Sequence, residues 1–407
     1  MNVPILAGLR IIEGAAFVAA PLSGMTLAQL GADVIRFDPI GGGLDAHRWP
    51  VTPNGHSLFW AGMNKGKRSI AVDITQAEGQ ELVTALICAS GIDAGFFISN
   101  FPARGWLSYE RLAARRRDLI YVSIRGDRHG GSAVDYTVNP RVGFPLLTGP
   151  ADDPRPTNHV LPAWDHITGQ MAAVGLLAAE RKRRLTGEGE FVTLALLDVA
   201  LATLGHMGMI AEAEVNGVER ARTGNDLYGA FGRDFETHDG RRIMIVALTA
   251  RQWSSLIEAT GLGAEMSQLG LELGLDLTRE GDRFIAREQI AALISPWIRA
   301  RTSGEVLELF ARSGVCIGPY QSVRELLDCD PEASTANPLF SRSQQPGVGA
   351  YRVPGSPLYY SASSHLDGKP APRLGEHTDE VLSTVLGMPA AEIGRLHDRR
   401  LIAGPAQ

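Results

Sequence analysis

The sequence predicts an α/β protein with a parallel sheet, followed by a second, smaller domain. The chain has 407 residues, a length that suggests two domains or one large domain with an insertion. Short apolar runs alternate with helical patterns through the first third. The composition then shifts near residue 225, where glycines cluster.

The first third of the chain alternates strand and helix patterns. Apolar runs predict strands at 9–12, 33–37, 68–73, 95–99 and 119–124, and helical spacing predicts helices at 21–30, 77–89 and 108–117. Buried strands separated by helices indicate βαβ units, whose parallel sheet is covered on both faces.

A long helix is predicted to begin near Asp165. Its last turn is rich in cations up to Arg184, and Gly187 follows as a helix-ending residue, which agrees with the preferences of helix C-termini. A strand at 191–195 and a helix at 196–214 come next.

Residues 224–232 form a glycine-rich joint. A hairpin with an Asp239–Gly240 turn follows, and then helices are predicted at 252–260, 284–300 and 303–313, while the last helix begins at Thr378. We therefore predict a large domain at 1–224 and a smaller α+β domain at 225–325.

Composition and motifs exclude several functions. The net charge of −6 argues against nucleic acid as a partner. The N-terminus does not resemble a signal peptide and no apolar run is long enough to cross a membrane, so we expect a soluble, cytoplasmic protein. The glycines lack dinucleotide-binding or P-loop spacing, and the ten histidines lack metal-ligand spacing.

Several segments resemble one family, the class III CoA-transferases. They lie at 30–36, 64–73, 164–169, 184–189 and 372–382, in the family's order and over most of the chain. The resemblance implies a Rossmann-like large domain built from both ends of the chain, so that the segment 326–407 returns to it. It further implies a small domain and a homodimer of interlocked chains. It also implies an acyl-CoA substrate and no tightly bound cofactor.

The resemblance implies that Asp165 is a covalent nucleophile. A carboxylate can attack a thioester, because the leaving thiol has a pKa of roughly 8.5, and covalent catalysis splits one difficult step into easier ones. A helix start would keep the carboxylate ionised and stabilise an oxyanion. The alternative is that Asp165 is an ordinary N-cap residue.

The resemblance also implies contacts with CoA. Asn100 and Phe101 would line the adenosine pocket, and Arg104 could reach a phosphate, although the loop here is shorter than usual in the family. A solvated face is the alternative for the basic cluster around Lys67. The full set of candidate CoA contacts is Val18, Ala19, Lys67, Val72, Asn100, Phe101, Arg104 and Tyr136.

Two departures from the family pattern imply a particular acid. Phe17–Val18 replaces a polar residue of many relatives, and the segment 227–235 lacks their glycine run. The stretch 17–45 is similar to a branch that moves CoA from the C1 to the C4 carboxyl of mesaconate, in the 3-hydroxypropionate route of carbon fixation. Arg48 and Arg233 are candidates to hold the free carboxylate, with surface roles as the alternative.

Three other functions stay open. An intermolecular transferase would pass CoA to a second acid. A related racemase would need a His-Asp pair, where this chain has Val134-Asp135-Tyr136, and the missing histidine counts against it. A non-catalytic acyl-CoA-binding protein would not need Asp165.

Overall fold

The computed structural model describes residues 3–405 of the chain. Within these residues twelve strands are present: β1 (Arg10–Gly14), β2 (Asp33–Asp38), β3 (Arg68–Val72), β4 (Phe96–Ser99), β5 (Ile120–Arg125), β6 (Glu190–Ala195), β7 (Phe231–Glu236), β8 (Arg242–Ala247), β9 (Cys316–Pro319), β10 (Phe340–Gln345), β11 (Gly349–Pro354) and β12 (Ile402–Ala403).

Seventeen α-helices are found in the same range of the chain. They are α1 (Ala19–Gln29), α2 (Leu58–Met63), α3 (Ala77–Ile87), α4 (Tyr109–Arg115), α5 (Asp135–Arg141), α6 (Phe144–Leu147), α7 (Ala163–Thr186), α8 (Leu196–His206), α9 (Met209–Asn216), α10 (Ala250–Thr260), α11 (Gly263–Leu273), α12 (Glu280–Ile285), α13 (Arg287–Arg299), α14 (Ser303–Ser313), α15 (Val323–Cys329), α16 (Thr378–Leu386) and α17 (Ala390–Asp398).

The chain divides into two compact units. The larger unit comprises residues 1–142, 160–214 and 331–407, and the smaller one comprises 143–159 and 215–330. The sequence predicts boundaries at 224/225 and 325/326, whereas the contacts place them at 214/215 and 330/331. Local sequence patterns gave no sign that the segment 143–159 would pack with residues so far along the chain.

The larger unit contains a seven-stranded sheet in the order β12-β3-β2-β1-β4-β5-β6. Its neighbouring strands are parallel, except that the short β12 runs antiparallel to β3. The order 3-2-1-4-5-6 is that of the Rossmann fold, so the predicted α/β fold with a parallel sheet is confirmed. Strand order reverses between β1 and β4, which makes that edge the expected place for a ligand.

The core of the larger unit combines both ends of the chain. Phe37 and Phe97 from the central strands are at most 1% exposed, and they share one cluster with Leu82 of α3, Val381 of α16 and Leu401. Burying side chains of this size stabilises the fold by about 1.5–3 kcal/mol each. Residues 331–407 therefore complete the larger unit.

The smaller unit has an antiparallel sheet in the order β7-β8-β9. The predicted hairpin is present, with its turn at Asp239–Gly240 between β7 and β8. Phe231, Ile243, Trp253 and Phe310 form the centre of its own buried cluster. Strands and helices in separate stretches of sequence make this an α+β unit.

Two predicted helices are each divided in the structure. The helix predicted at 196–214 breaks at Gly208, whose φ of +71° lies in a region that favours glycine, and α8 and α9 result. The helix predicted at 284–300 is divided at Ala286 into α12 and α13. Helical periodicity continues across both breaks, so the sequence pattern does not reveal them.

No single helix in the described part of the chain is long and apolar enough to cross a membrane. The bent pair α8 and α9, at 63° to each other, passes the same test by length and composition. Likewise, residues 3–405 hold no group of three or more His, Cys, Asp or Glu side chains arranged for a metal ion.

Candidate active site

The candidate site begins at the carboxyl ends of β1 and β4, where strand order reverses. Asn100, just after β4, uses both ends of its side-chain amide on one residue of the loop after β1. The Ala16 N–H donates to Oδ1 at 3.0 Å, and Nδ2 donates to the Ala16 carbonyl at 2.7 Å. Asn100 therefore holds the loop, and its amide is already engaged there.

A buried ion cluster holds the next residue of this loop. The Phe17 N–H donates to Asp45 Oδ1 at 2.9 Å, and Arg36 donates to Asp45 Oδ2 at 3.2 Å and to the Ala15 carbonyl at 2.9 Å. Phe17 has a φ of +66°, which is unusual for a bulky residue. Strained backbone persists only where neighbouring contacts hold it, and here Asp45 and Asn100 do so.

Helix α1 starts directly after this loop and points its first turn at Asp165. Val18 is the N-cap residue, and the Ala19 N–H donates to the Asp165 carboxylate. Helix α7 approaches α1 closely because Gly169 has no side chain: a Cβ there would lie 2.7 Å from the Ala19 carbonyl oxygen. Two of the predicted residues, Val18 and Ala19, thus lie beside the predicted nucleophile.

Helix α7 is capped by a residue that lies far away in the sequence. Asp135 Oδ2 accepts the N–H groups of Trp164 at 2.7 Å and Asp165 at 3.1 Å. The N-cap position is Pro162, so Asp165 is the third helical residue and its side chain makes no capping bond. The alternative reading of Asp165 as an ordinary N-cap is therefore wrong, and its carboxylate remains available for chemistry.

The pKa of Asp165 is raised to about 7. Burial is the largest cause and the negative charge of Asp135 adds to it, while Arg48 and the Ala19 N–H act in the opposite direction. The expectation that the helix start keeps this carboxyl fully ionised is wrong, because desolvation outweighs the backbone dipoles. A carboxyl poised near neutral pH is typical of catalytic groups.

Lys67 lies elsewhere than predicted. Its side chain is 0% exposed, and Nζ donates to Glu13 Oε1 at 2.8 Å, to the Pro21 carbonyl at 2.8 Å and to Asn64 Oδ1 at 3.0 Å. An ammonium has three donors, and all three are used. Lys67 is therefore neither a solvated cation nor a phosphate ligand, and it ties β1, β3 and α1 together from inside.

The other predicted CoA contacts occupy different environments. Val72 is fully buried in the core, so only its backbone could meet a ligand. Phe101 is half-buried with its ring edge-on to Phe37, and Arg104 is exposed. Tyr136 lies beside Asp135 on α5 and donates from its hydroxyl to the Val160 carbonyl at 3.2 Å. Their contacts with CoA stay predictions.

Arg48 and Arg233, the two candidates to hold the free carboxylate of the substrate, have different surroundings. Arg233 is paired with Asp226 at 2.5 Å and with Glu288 at 2.5 Å inside the smaller unit, so its guanidinium is already satisfied. Arg48 belongs to the larger unit, as Asp165 does, and it lowers the pKa of Asp165 electrostatically. Arg48 is therefore better placed than Arg233 to bind the free carboxylate of the substrate.

The sequence does not reveal the buried residues that support the site. Asp135 was noticed only as part of Val134-Asp135-Tyr136, and no capping pattern marks it, because its partners lie 29 and 30 residues away. Arg36 and Asp45 likewise read as ordinary charged residues. A buried charge leaves no local signal when its partners come from other strands.

The sequence model of CoA-transferase family III matches residues 6–378 of the chain. The 2-methylfumaryl-CoA isomerase of Chloroflexus aurantiacus is 63% identical over 98% of both chains. The succinyl-CoA:mesaconate CoA-transferase of Haloarcula marismortui is 28% identical over 92% of this chain and 94% of its own.

Among solved structures, a CAIB/BAIF family protein from Brucella suis matches with a TM-score of 0.76. It is 26% identical, and the match covers 95% of this chain and all of the other. The two proteins therefore share a fold over nearly their whole lengths.

Proposed function

Because the chain belongs to CoA-transferase family III, we propose that it moves CoA within one molecule, from the C1 to the C4 carboxyl of mesaconate. The substrate is then 2-methylfumaryl-CoA and the product 3-methylfumaryl-CoA. The identity of 63% over 98% of both chains to a 2-methylfumaryl-CoA isomerase carries this proposal. Asp165, half-buried between the starts of α1 and α7, supplies the nucleophile.

The first half-reaction transfers CoA from the acyl group to Asp165. The carboxylate attacks the C1 thioester carbonyl, the C–S bond breaks, and CoA leaves as a thiolate. The resulting mixed anhydride is attacked at the aspartyl carbonyl by that thiolate, so mesaconate leaves through its C1 carboxylate and an aspartyl-CoA thioester remains. The Ala19 N–H at the start of α1 points at this carboxyl and stabilises the negative charge that develops on oxygen.

The second half-reaction runs the same steps in reverse with the other carboxylate. Mesaconate turns in the pocket and its C4 carboxylate attacks the aspartyl thioester, releasing the thiolate. The thiolate then attacks the C4 carbonyl of the new anhydride and Asp165 is regenerated. Retention in the pocket gives the second carboxylate a high effective concentration, so no external acid is needed.

The test of this function uses mesaconyl-C1-CoA without any acceptor acid. We expect conversion to the C4 isomer, measured by chromatography. Adding labelled mesaconate should place little label in the product, since the released acid turns before it escapes. If conversion requires the added acid and the label appears in full, the protein is an intermolecular transferase instead.

The rate of aspartyl-CoA formation should depend on pH with a midpoint near 7. Burial raises the pKa of Asp165 to about 7, and only the ionised carboxyl attacks. The single-turnover rate constant should therefore rise about tenfold per pH unit below the midpoint and level off above it. Rapid-quench measurements between about pH 5.5 and 9 check this expectation.

Asp135→Asn is the matched variant for the pH profile. Asparagine retains an oxygen that can accept the N–H groups of Trp164 and Asp165, but it removes the negative charge that raises the pKa of Asp165. The midpoint should move to lower pH. A flat profile in the wild type, or an unmoved midpoint in the variant, would contradict the assignment of the titration to Asp165.

We also propose where CoA binds. The carboxyl ends of β1 and β4 lead directly to Asp165, which supports a path for CoA along Val18, Ala19 and Phe101, with Arg104 and Tyr136 as further contacts. In this proposal CoA arrives and leaves as part of the substrate. The proposal includes no tightly bound cofactor.

The assembly and setting of the protein are proposals from the same family resemblance. We propose a homodimer of interlocked chains in the cytoplasm, acting in the 3-hydroxypropionate route without nucleic acid or membrane partners. The net charge of −6 supports the absence of nucleic acid. Large apolar side chains exposed on α7 to α9, such as Met171, Val174 and Met207, support burial against a second chain.

A further inference from the structure

Arg48 is a cation held by aromatic rings rather than by a carboxylate. Its Cζ lies 5.4 Å from the ring centroid of Phe17 and 4.9 Å from that of Phe59. Cation–π contacts of this kind orient a guanidinium without using its N–H groups. Within residues 3–405 the Arg48 guanidinium makes no hydrogen bond or ion pair, so its N–H groups are free to bind a ligand.

The geometry places this guanidinium beside the nucleophile. Phe17, which contacts Arg48, lies two residues before Ala19, whose N–H donates to Asp165. The Phe17 backbone is held by Asp45 at 2.9 Å, so the backbone from which the ring extends is fixed in place. Arg48 is also close enough to Asp165 to lower its pKa. An acyl group bonded to Asp165 would therefore lie close to the cationic guanidinium of Arg48.

We propose that Arg48 binds the carboxylate of the acyl group that is not bonded to CoA or to Asp165. This inference rests on the proposed intramolecular transfer. The planar guanidinium suits a carboxylate, which it can bind through two parallel hydrogen bonds. Arg48 holds the C4 carboxylate while C1 reacts, and the C1 carboxylate after mesaconate has turned.

Such a role makes Arg48 a determinant of specificity for dicarboxylic acyl groups. It holds the released acid by its far end, which keeps the acid in the pocket while it turns. A rival role is that Arg48 only favours ionised Asp165. That role would affect every thioester equally and would change the pH midpoint without changing the preference between acids.

The experiment compares two thioesters in the first half-reaction. Mesaconyl-C1-CoA carries the distal carboxylate, while 2-methylbut-2-enoyl-CoA replaces it with a methyl group. Formation of the aspartyl-CoA thioester is followed by acid quench and mass spectrometry at about pH 8.5, where Asp165 is mostly ionised. Arg48→Met should lower the rate constant divided by Kd about 100-fold for the dicarboxylic substrate and less than about threefold for the other.

Controls separate this inference from the proposed function. Arg48→Lys should recover part of the loss, because a lysine keeps the charge but not the planar fork. Arg155→Met, at an arginine 85% exposed in the smaller unit, should match wild type on both substrates. If Arg48→Met does not fold, the substrate preference of Arg48→Lys carries the test.

The outcomes are distinguishable. Equal losses for both thioesters, or no loss for the dicarboxylic one, overturn the role of Arg48 while C1-to-C4 conversion by the wild type still stands. If the wild type forms the aspartyl-CoA thioester but never the C4 isomer, the proposed isomerisation fails, and the preference between thioesters still decides whether Arg48 recognises the distal carboxylate.

Discussion

Asp165→Ala should abolish C1-to-C4 conversion, lowering kcat by at least about 10⁴-fold, as expected when a covalent nucleophile is removed. The variant should still bind CoA, because the loop after β1 and helix α1 remain in place. Mass spectrometry of wild-type protein after acid quench should find CoA bonded to the peptide that contains Asp165, and the variant should lack this adduct. Unchanged turnover in Asp165→Ala would contradict the aspartyl mechanism.

Asp198→Ala is the matched control. Asp198 is the third residue of α8, as Asp165 is of α7, but it is exposed. Its loss should leave conversion within about twofold of wild type, because an exposed first-turn aspartate contributes only to the helix dipole. A comparable loss in both variants would mean that the effect comes from helix stability rather than from chemistry.

The raised pKa of Asp165 also predicts the stability of a variant that carries no charge at this position. The raised pKa of about 7 means that folding disfavours the ionised form of Asp165 relative to the unfolded chain. Between about pH 4 and 7 the folded state binds more protons, so its stability declines as pH rises through this window. Asp165→Asn should therefore be at least as stable as wild type at about pH 8, and calorimetry of the two proteins checks this.

Lys67→Met should lower the free energy of unfolding of the larger unit by about 3–5 kcal/mol, the range found when one partner of a buried ion pair is removed. Glu13 is 0% exposed, and its carboxylate would lose the Lys67 ammonium at 2.8 Å. Arg36, at 3.7 Å, remains as a more distant cation. Urea denaturation of variant and wild type at the same pH measures the difference.

Two further variants test the cause of this loss. Lys182→Met removes a lysine that is 45% exposed and paired with Glu190, and it should cost less than about 1 kcal/mol. The double variant Lys67→Met with Glu13→Gln should be more stable than Lys67→Met alone, because it leaves no uncompensated charge. Equal losses from Lys67→Met and Lys182→Met would contradict the buried pair.

The strands and most helices of the larger unit could be predicted from local patterns. Runs such as 95–99 and 119–124 correspond to β4 and β5 within a residue or two, because a strand between two layers of helices must be apolar along its whole length. The predicted start of the long helix near Asp165 also agrees with α7. The breaks at Gly208 and Ala286 were missed, since the apolar pattern runs through both.

The residue types of the candidate site were partly predictable, but the partners of their side chains were not. The sequence predicts Asn100 as a CoA contact, which stays a prediction, and only the structure shows that its amide holds the Ala16 backbone. The sequence predicts Lys67 as a CoA contact or as part of a solvated face, whereas in the structure it pairs with Glu13, which lies 54 residues away in sequence. Spacing along the chain carries no information about such partners, because they come from segments that are far apart in sequence.

The sequence by itself determined the alternation of strands and helices, the long helix that carries Asp165, and the set of acidic and basic residues from which the site is drawn. The tertiary structure alone decided which of those charges are buried and which partners they meet. The packing of α1 against α7 helps to bury Asp165, and the packing of α5 against α7 brings Asp135 to the start of that helix. Burial and the charge of Asp135 together raise the pKa of Asp165 to about 7. The physical reason is that a carboxyl's ionisation depends on the water and charges around it in space, which no local pattern records.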